Sequence, residues 1–387
     1  MEVPLLRYHQ DIIQFLKKQE PELWAFYAKA EKERDYLEVL KKDLLKNTYR
    51  LGEEDHTQVY QCARFGMKHF DLDLPLVIYQ TRGSGESNAA IYFHEEEIHI
   101  LFTGETLKLL SEEELKAVFA HEITHYKMYS DHNRELQVAS EILRAMVSDA
   151  TAQPSYFETA RRFQLYLEIA CDRGALDAVK NQESCISSLV KVETGLTEVS
   201  SASYLKQTEE ILSMEKSVIS KKDTHPEAFI RAKALSLWGE HDGAEIEIEK
   251  MISGKADLEK LDLNDQQYMS QKTKELFDHI LSEKWFRTDV TLSHARQYIQ
   301  GYQWKQPKQN WELQHNFEQE SIYKYFSFVI LDFLTVDRDL DDKPLPEGLK
   351  LAKKFGFDSI FKKIAMKELK LKARQWKIVE QQAGQAG

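Results

Sequence analysis

The run His121-Glu122-Ile123-Thr124-His125 constrains this chain more than any other feature. It lies in a stretch that begins near Glu112 and contains neither Pro nor Gly, which predicts one continuous helix. Residues four apart share a helical face, so both imidazoles can reach one cation while Glu122 points beside them toward a water. The spacing therefore describes a pair of metal ligands with a base next to it.

A catalytic zinc ion takes three protein ligands and keeps a fourth position open. The third candidate lies downstream, where Glu168-Ile169-Ala170-Cys171-Asp172 sets two carboxylates four residues apart. Glu168 completes a set with His121 and His125, and Asp172 is placed to hydrogen-bond a ligand histidine from behind. The competing reading makes Glu168 a helix-face acid paired with Arg161 or Arg173. Leu165, Leu167, Ile169, Ala170 and Ala175 mark this helix as largely buried, where an unpaired carboxylate is costly. Cys171 falls toward the edge of the shared face and is left out of the site.

Both helices carry a Ser-x-x-Glu capping signature, Ser111 with Glu114 and Ser155 with Glu158, the second just after Pro154. Around them the pattern is mixed. A helix is expected over Thr57 to His69, a strand over Leu76 to Gln80, and a hairpin from Ala89 to Phe93 and Ile98 to Phe102, with the loop Arg82 to Ser87 between. Before residue 51, the pairs Ile12 with Leu16 and Leu23 with Phe26 suggest packed amphipathic helices. Beyond about residue 240 the chain reads as helical again, with Gly301 to Asn316 as an internal linker. The expected organisation is a helical extension over 1–50, a main domain over 51–240 and a helical region over 241–387, α+β and mostly helical in class.

A chain of 387 residues exceeds the usual size of one core. With 42% hydrophobic and 30% charged residues it has the composition of a globular protein. The net charge of -12 repels a phosphate backbone, so nucleic acid is not an expected partner. Three cysteines, Cys62, Cys171 and Cys185, form neither a disulfide framework nor a thiolate metal site and fit a reducing compartment. No secretory signal is apparent, and no apolar stretch reaches the span of about 20 residues that a bilayer requires. A cytoplasmic protein without a membrane span is expected.

These residues together resemble the M48 family of metallopeptidases. Leu110 to Ala120 leading into His121 is similar to the family's approach to its H-E-x-x-H helix. Glu168 to Leu176 is similar to its E-x-x-A-D element, with Cys171 in place of the usual Ala. The resemblance covers roughly residues 50 to 240. It implies a zincin-type (gluzincin) core with a small edge-strand sheet, one Zn2+ per chain, and protein or peptide substrates. Asn88, Ala89 and Ala90 resemble the strand beside the cleft to which substrates add as an extra strand. Thr224-His225-Pro226, with Arg231, looks like the family's H-P-x-x-x-x-R element. On that likeness His225 stabilises the oxyanion and Arg231 organises the carboxylates. A fainter likeness to the all-helical TerB-like module falls near 320–375. The activity expected is endopeptidase hydrolysis with Glu122 as general base. The alternative is a zinc-containing scaffold with little or no peptidase activity. A peptidase of this kind endangers its neighbours, so the terminal helical regions are expected to inhibit the enzyme or dock partners.

Overall fold

The computed structural model describes residues 3–384, except 30–32, 82–85, 149–150, 215–217, 239–243, 256–257, 309–310, 314–317 and 341–343. Most of the expected Arg82 to Ser87 loop thus lies outside the described residues. The chain divides into two compact units, residues 1–254 and 255–387.

In the first unit, α1 (Arg7–Gln19), α2 (Pro21–Tyr27) and α3 (Glu33–Asn47) lead into β1 (Tyr49–Arg50) and α4 (Thr57–His69). Next come β2 (Leu76–Gln80), β3 (Asn88–Tyr92), β4 (Ile98–Thr103) and the short α5 (Thr106–Leu109). The helices α6 (Glu112–Ser130), α7 (Glu135–Met146), α8 (Pro154–Val179) and α9 (Gln182–Thr194) follow. Three more, α10 (Ser201–Met214), α11 (Ala228–Leu237) and α12 (Ala244–Ile252), complete the unit. The class is α+β: mostly helical, with one four-stranded mixed sheet.

The sheet runs in the order β1-β2-β4-β3. Strand β4 pairs parallel to β2 and antiparallel to β3. Alternation along β4 sends Ile98, Ile100 and Phe102, all fully buried, to one face, where Phe102 meets Phe119 of α6 edge-on at 5.2 Å. Strand β3 is left as an outer strand of the sheet, against α6.

Helix α6 is the central element of this unit, packed by α4, α8, α9 and β3. Its start is fixed by the expected capping box: Ser111 accepts from the Glu114 N–H while Glu114 accepts from the Ser111 N–H. The crossing with α8 is close because residue 174 is glycine; a Cβ there would lie 2.3 Å from Thr124 Oγ1.

The second capping box does not form. Pro154 is the first residue of α8 and Gln153 its cap, so Ser155 already sits inside the first turn. Proline's preset φ starts the helix two residues earlier than the Ser-x-x-Glu pattern implies. Glu158 is taken instead by Arg161 and Arg162, each at 2.7 Å.

At the N-terminus, α1 buries Ile12 and Leu16 completely. It packs on α7 and α8, with the His9 ring bonded to the Phe163 carbonyl at 3.0 Å. The Leu23 and Phe26 expectation fails: they are 38% and 49% exposed. On this seven-residue helix the half-buried positions are Trp24 and Tyr27, and Lys17 lies over the Trp24 ring.

The second unit is helical among the described residues, with α13 (Leu263–Ile280), α14 (Asp289–Tyr298), α15 (Gln319–Val336), α16 (Pro344–Lys354), α17 (Asp358–Glu368) and α18 (Ala373–Gly384). Phe277, Phe326, Phe333, Phe361 and Trp376 fill its core. The stretch expected as a linker from Gly301 belongs to that core. Tyr302 is buried and donates to Asp278 Oδ1 at 2.6 Å, Trp304 donates to the Asp278 carbonyl at 3.0 Å, and Trp311 packs on Phe326. Polar spacing read as a linker is here an aromatic strap held by one aspartate. Among the described residues of the chain, no helix is long and apolar enough to cross a membrane.

Candidate active site

The α6/α8 crossing brings the predicted ligand residues together. His121 and His125, one helical turn apart, meet edge to face with ring centroids at 4.9 Å and Nε2 atoms 3.2 Å apart. Glu168 of α8 faces both: Oε2 lies 3.3 Å from His121 Nε2 and Oε1 3.3 Å from His125 Nε2. One donor atom from each of the three residues falls within 4.8 Å of the others.

This donor set fits a divalent metal. Glu168 is 1% exposed, and its Oε2 has no hydrogen-bond partner, an expensive arrangement unless a cation sits against it. Two imidazole nitrogens turned toward each other and toward a carboxylate make the N2O set that suits zinc.

Behind the triad, Asp172 Oδ1 lies 2.9 Å from His121 Nδ1, which leaves Nε2 of a neutral ring as the free lone pair. Arg231 of α11 grips the same carboxylate through Nε at 2.8 Å and Nη2 at 2.6 Å, and its Nη2 stands 3.6 Å from Glu168 Oε2. Burial opposes charge on both acids, yet the Arg231 guanidinium holds the Asp172 carboxyl below its ordinary range, and His125 with His121 holds Glu168 well below it. Burial likewise works to lower His121, but Asp172 and Glu168 raise it to about 10. Neither Arg161 nor Arg173 pairs with Glu168. Arg173 pairs with Glu245 at 2.7 Å and lies over Trp238.

His225 precedes α11, its Nε2 3.6 Å from Glu168 Oε1 and its side chain 45% exposed. Thr224 Oγ1 is 2.9 Å from Nδ1, a contact that can leave the proton on Nε2. Burial lowers the His225 pKa, against the raising effect of Glu168. The loop bearing it is anchored by Arg161, whose Nη1 donates to the carbonyls of Ser220 at 3.2 Å and Lys222 at 3.3 Å. That anchor was not anticipated from sequence, because nothing local ties residue 161 to residues 220–222.

A cavity of about 260 Å³ opens beside His121 and Glu168, and Glu122 lines it with Asp172, His225 and Arg231. Glu122 is 7% exposed, and its carboxylate forms no hydrogen bond or ion pair among the described residues. The rim includes Asn88 and Ala89 of β3; Ala90 follows in the strand. No described residue before Glu86 lines the cavity.

The register of β4 shows which backbone groups of β3 face outward. Ile98 N bonds Pro75 O and Phe102 O accepts from Thr81 N, so Ile98, Ile100 and Phe102 direct their backbone groups to the β2 side. His99, Leu101 and Thr103 then serve β3, where they pair with Tyr92, Ala90 and Asn88. Ala89 and Ile91 are left pointing to the free edge. In agreement, the Ala89 N–H is met at 2.9 Å by Asn88 Oδ1.

The model of Peptidase family M48 matches residues 53–238, and this match supports an M48 family metallopeptidase. Neither the curated proteins nor the solved structures hold a match to the chain. The family points to a metal-dependent protease acting on peptides, and the His121, His125 and Glu168 group could bind its metal.

Proposed function

We propose that the protein is a zinc-dependent endopeptidase of the zincin type, with His121, His125 and Glu168 as metal ligands and Glu122 as general base. The observation that supports this reading is a cavity lined by Glu122, His121, Glu168 and the start of the outer strand, with His125 completing the metal-ligand group beside His121 and Glu168. A zinc ion held there supplies Lewis acidity, lowering the pKa of water toward neutrality and polarising a carbonyl.

The chain's own groups supply the rest. A peptide in extended form pairs with the outward N–H and C=O groups of Ala89 and Ile91, which presents its backbone to the cavity with little dependence on side chains. Asn88, whose Oδ1 meets the Ala89 N–H in the free protein, yields that donor to a substrate carbonyl. The Glu122 carboxylate accepts a proton from water and returns it to the departing amine nitrogen. His225 donates from Nε2 toward the carbonyl oxygen as negative charge develops there. Asp172 keeps His121 in the tautomer that leaves Nε2 free, and Arg231 fixes Asp172 and offsets part of the charge on Glu168.

The test is degradation of casein by zinc-loaded protein with and without a chelator. Cleavage that disappears on chelation and returns with zinc supports the reading. Cleavage indifferent to metal removal contradicts it.

A further inference from the structure

The cavity extends past the catalytic group, and its far wall is built by α9. Ser188, Leu189 and Val192 stand three, four and seven residues along from Cys185, the pattern of one helical face, and all four line the cavity. Ala117 and Val118 of α6, one turn before His121, line it too, and Ala117 is too small to close the space. Of the α9 residues that line the cavity only Glu193 is charged, and it is paired. The Ser188 hydroxyl is spent on the Cys185 carbonyl at 2.9 Å, and burial pushes the Cys185 thiol up to about 12, so it stays neutral. The two charged groups on this side, Lys222 and Glu193, neutralise each other across 2.9 Å, which also ties α9 to the loop carrying His225.

We infer that this α9 wall forms a side-chain pocket that selects a medium-sized apolar residue next to the scissile bond, with Val192 and Leu189 as its specificity-determining residues. The inference rests on the peptidase reading and adds the substrate preference to it. A peptide lying along β3 with its scissile carbonyl beside Glu122 must direct a flanking side chain somewhere in the same cavity. A wall formed by Leu189, Val192 and Val118, whose one acid is already paired, rewards burial of a leucine- or methionine-sized group and leaves an aspartate or lysine without a partner. Discrimination by an apolar pocket is roughly 10- to 200-fold per methylene added or lost.

Two measurements decide the matter. A peptide library differing at the positions flanking the cleaved bond is digested with wild type, Val192→Trp, which fills the pocket, and Val192→Ala, which enlarges it. Wild type should favour leucine or methionine over glycine and over charged residues at one flanking position. In Val192→Trp the leucine-to-glycine ratio should fall at least tenfold, and Val192→Ala should shift preference toward phenylalanine. Equal profiles in the three proteins overturn the inference. Independently of turnover, calorimetry on the zinc-loaded proteins compares leucyl and glycyl peptide hydroxamates. A leucyl advantage of at least tenfold in wild type that Val192→Trp removes supports the pocket, whereas equal affinities overturn it. Absence of casein cleavage together with a leucyl advantage would reject the peptidase reading while leaving the pocket standing.

Discussion

Arg231 holds Asp172 in a two-pronged grip, with Nε on Oδ2 at 2.8 Å and Nη2 on Oδ1 at 2.6 Å, although the two residues stand 59 positions apart in the chain. The same Asp172 oxygen that Nη2 holds faces His121 Nδ1, so a helix outside the α6/α8 pair braces the partner of the proposed ligand His121. Arg231→Met and Asp172→Asn should each weaken zinc binding by roughly 10- to 100-fold. Competition with a chromogenic chelator measures this, and unchanged affinity in both variants would remove the positioning role.

The separation of α6 and α8 depends on Gly174. A methyl group there would meet Thr124 Oγ1 at 2.3 Å and Cγ2 at 2.5 Å, and both belong to a branched side chain on a buried helix with little freedom to retreat. Gly174→Ala should lower the stability by about 1–3 kcal/mol, as overpacking does. It should also weaken zinc binding by moving Glu168 away from the histidines. Urea unfolding and zinc titration check the two effects.

Glu114 ties the start of α6 to α9. Its carboxylate is 6% exposed, caps the helix through the Ser111 N–H at 2.8 Å, and pairs with Lys191 at 2.8 Å and Ser187 at 2.7 Å. Burial opposes its charge, but Lys191, Ser111 and Ser187 together hold its pKa below the ordinary value. A folded-state pKa below the unfolded one gives stability that is present above the unfolded value and lost as pH falls through the folded one. Wild type should therefore lose stability below about pH 4.5. Glu114→Gln should be less stable at pH 7 by about 1–2 kcal/mol and show a shallower acid slope. Denaturant midpoints at pH 7 and pH 4 provide the comparison.

The outward direction of Ala89 and Ile91 separates binding from folding on one strand. Ile91→Pro removes an N–H that faces the free edge, so it should raise KM for extended peptides at least several-fold with little change in unfolding midpoint. Ala90→Pro removes a bond to Leu101 of β4 and should destabilise the domain instead. Similar effects from both substitutions would contradict this register.

Legibility in the sequence followed locality. The His121/His125 pair on α6 and the Glu168/Asp172 pair on α8 are helix-face patterns, and four-residue spacing alone places each couple on one side. Strand β2 and helix α4 were readable for the same reason, since alternation and helical period are local. What remained hidden depends on distant partners: the Arg161 anchor of the His225 loop, the α9 wall, and the strap from Tyr302 to Trp311 held by Asp278. The Ser155 cap was misread because Pro154 begins the helix, and Leu23 with Phe26 because a short helix need not bury its most apolar edge.

The most direct measurement is the cleavage rate of Glu122→Gln with its zinc content determined on the same sample. The Glu122 carboxylate makes no hydrogen bond or ion pair among the described residues, so its replacement by the isosteric amide should leave the metal bound at one per chain. Turnover should fall by about 10²–10⁴, the usual contribution of general acid–base catalysis. A zinc-loaded Glu122→Gln enzyme cleaving casein at the wild-type rate would contradict the assignment of Glu122 and, with it, the proposed mechanism.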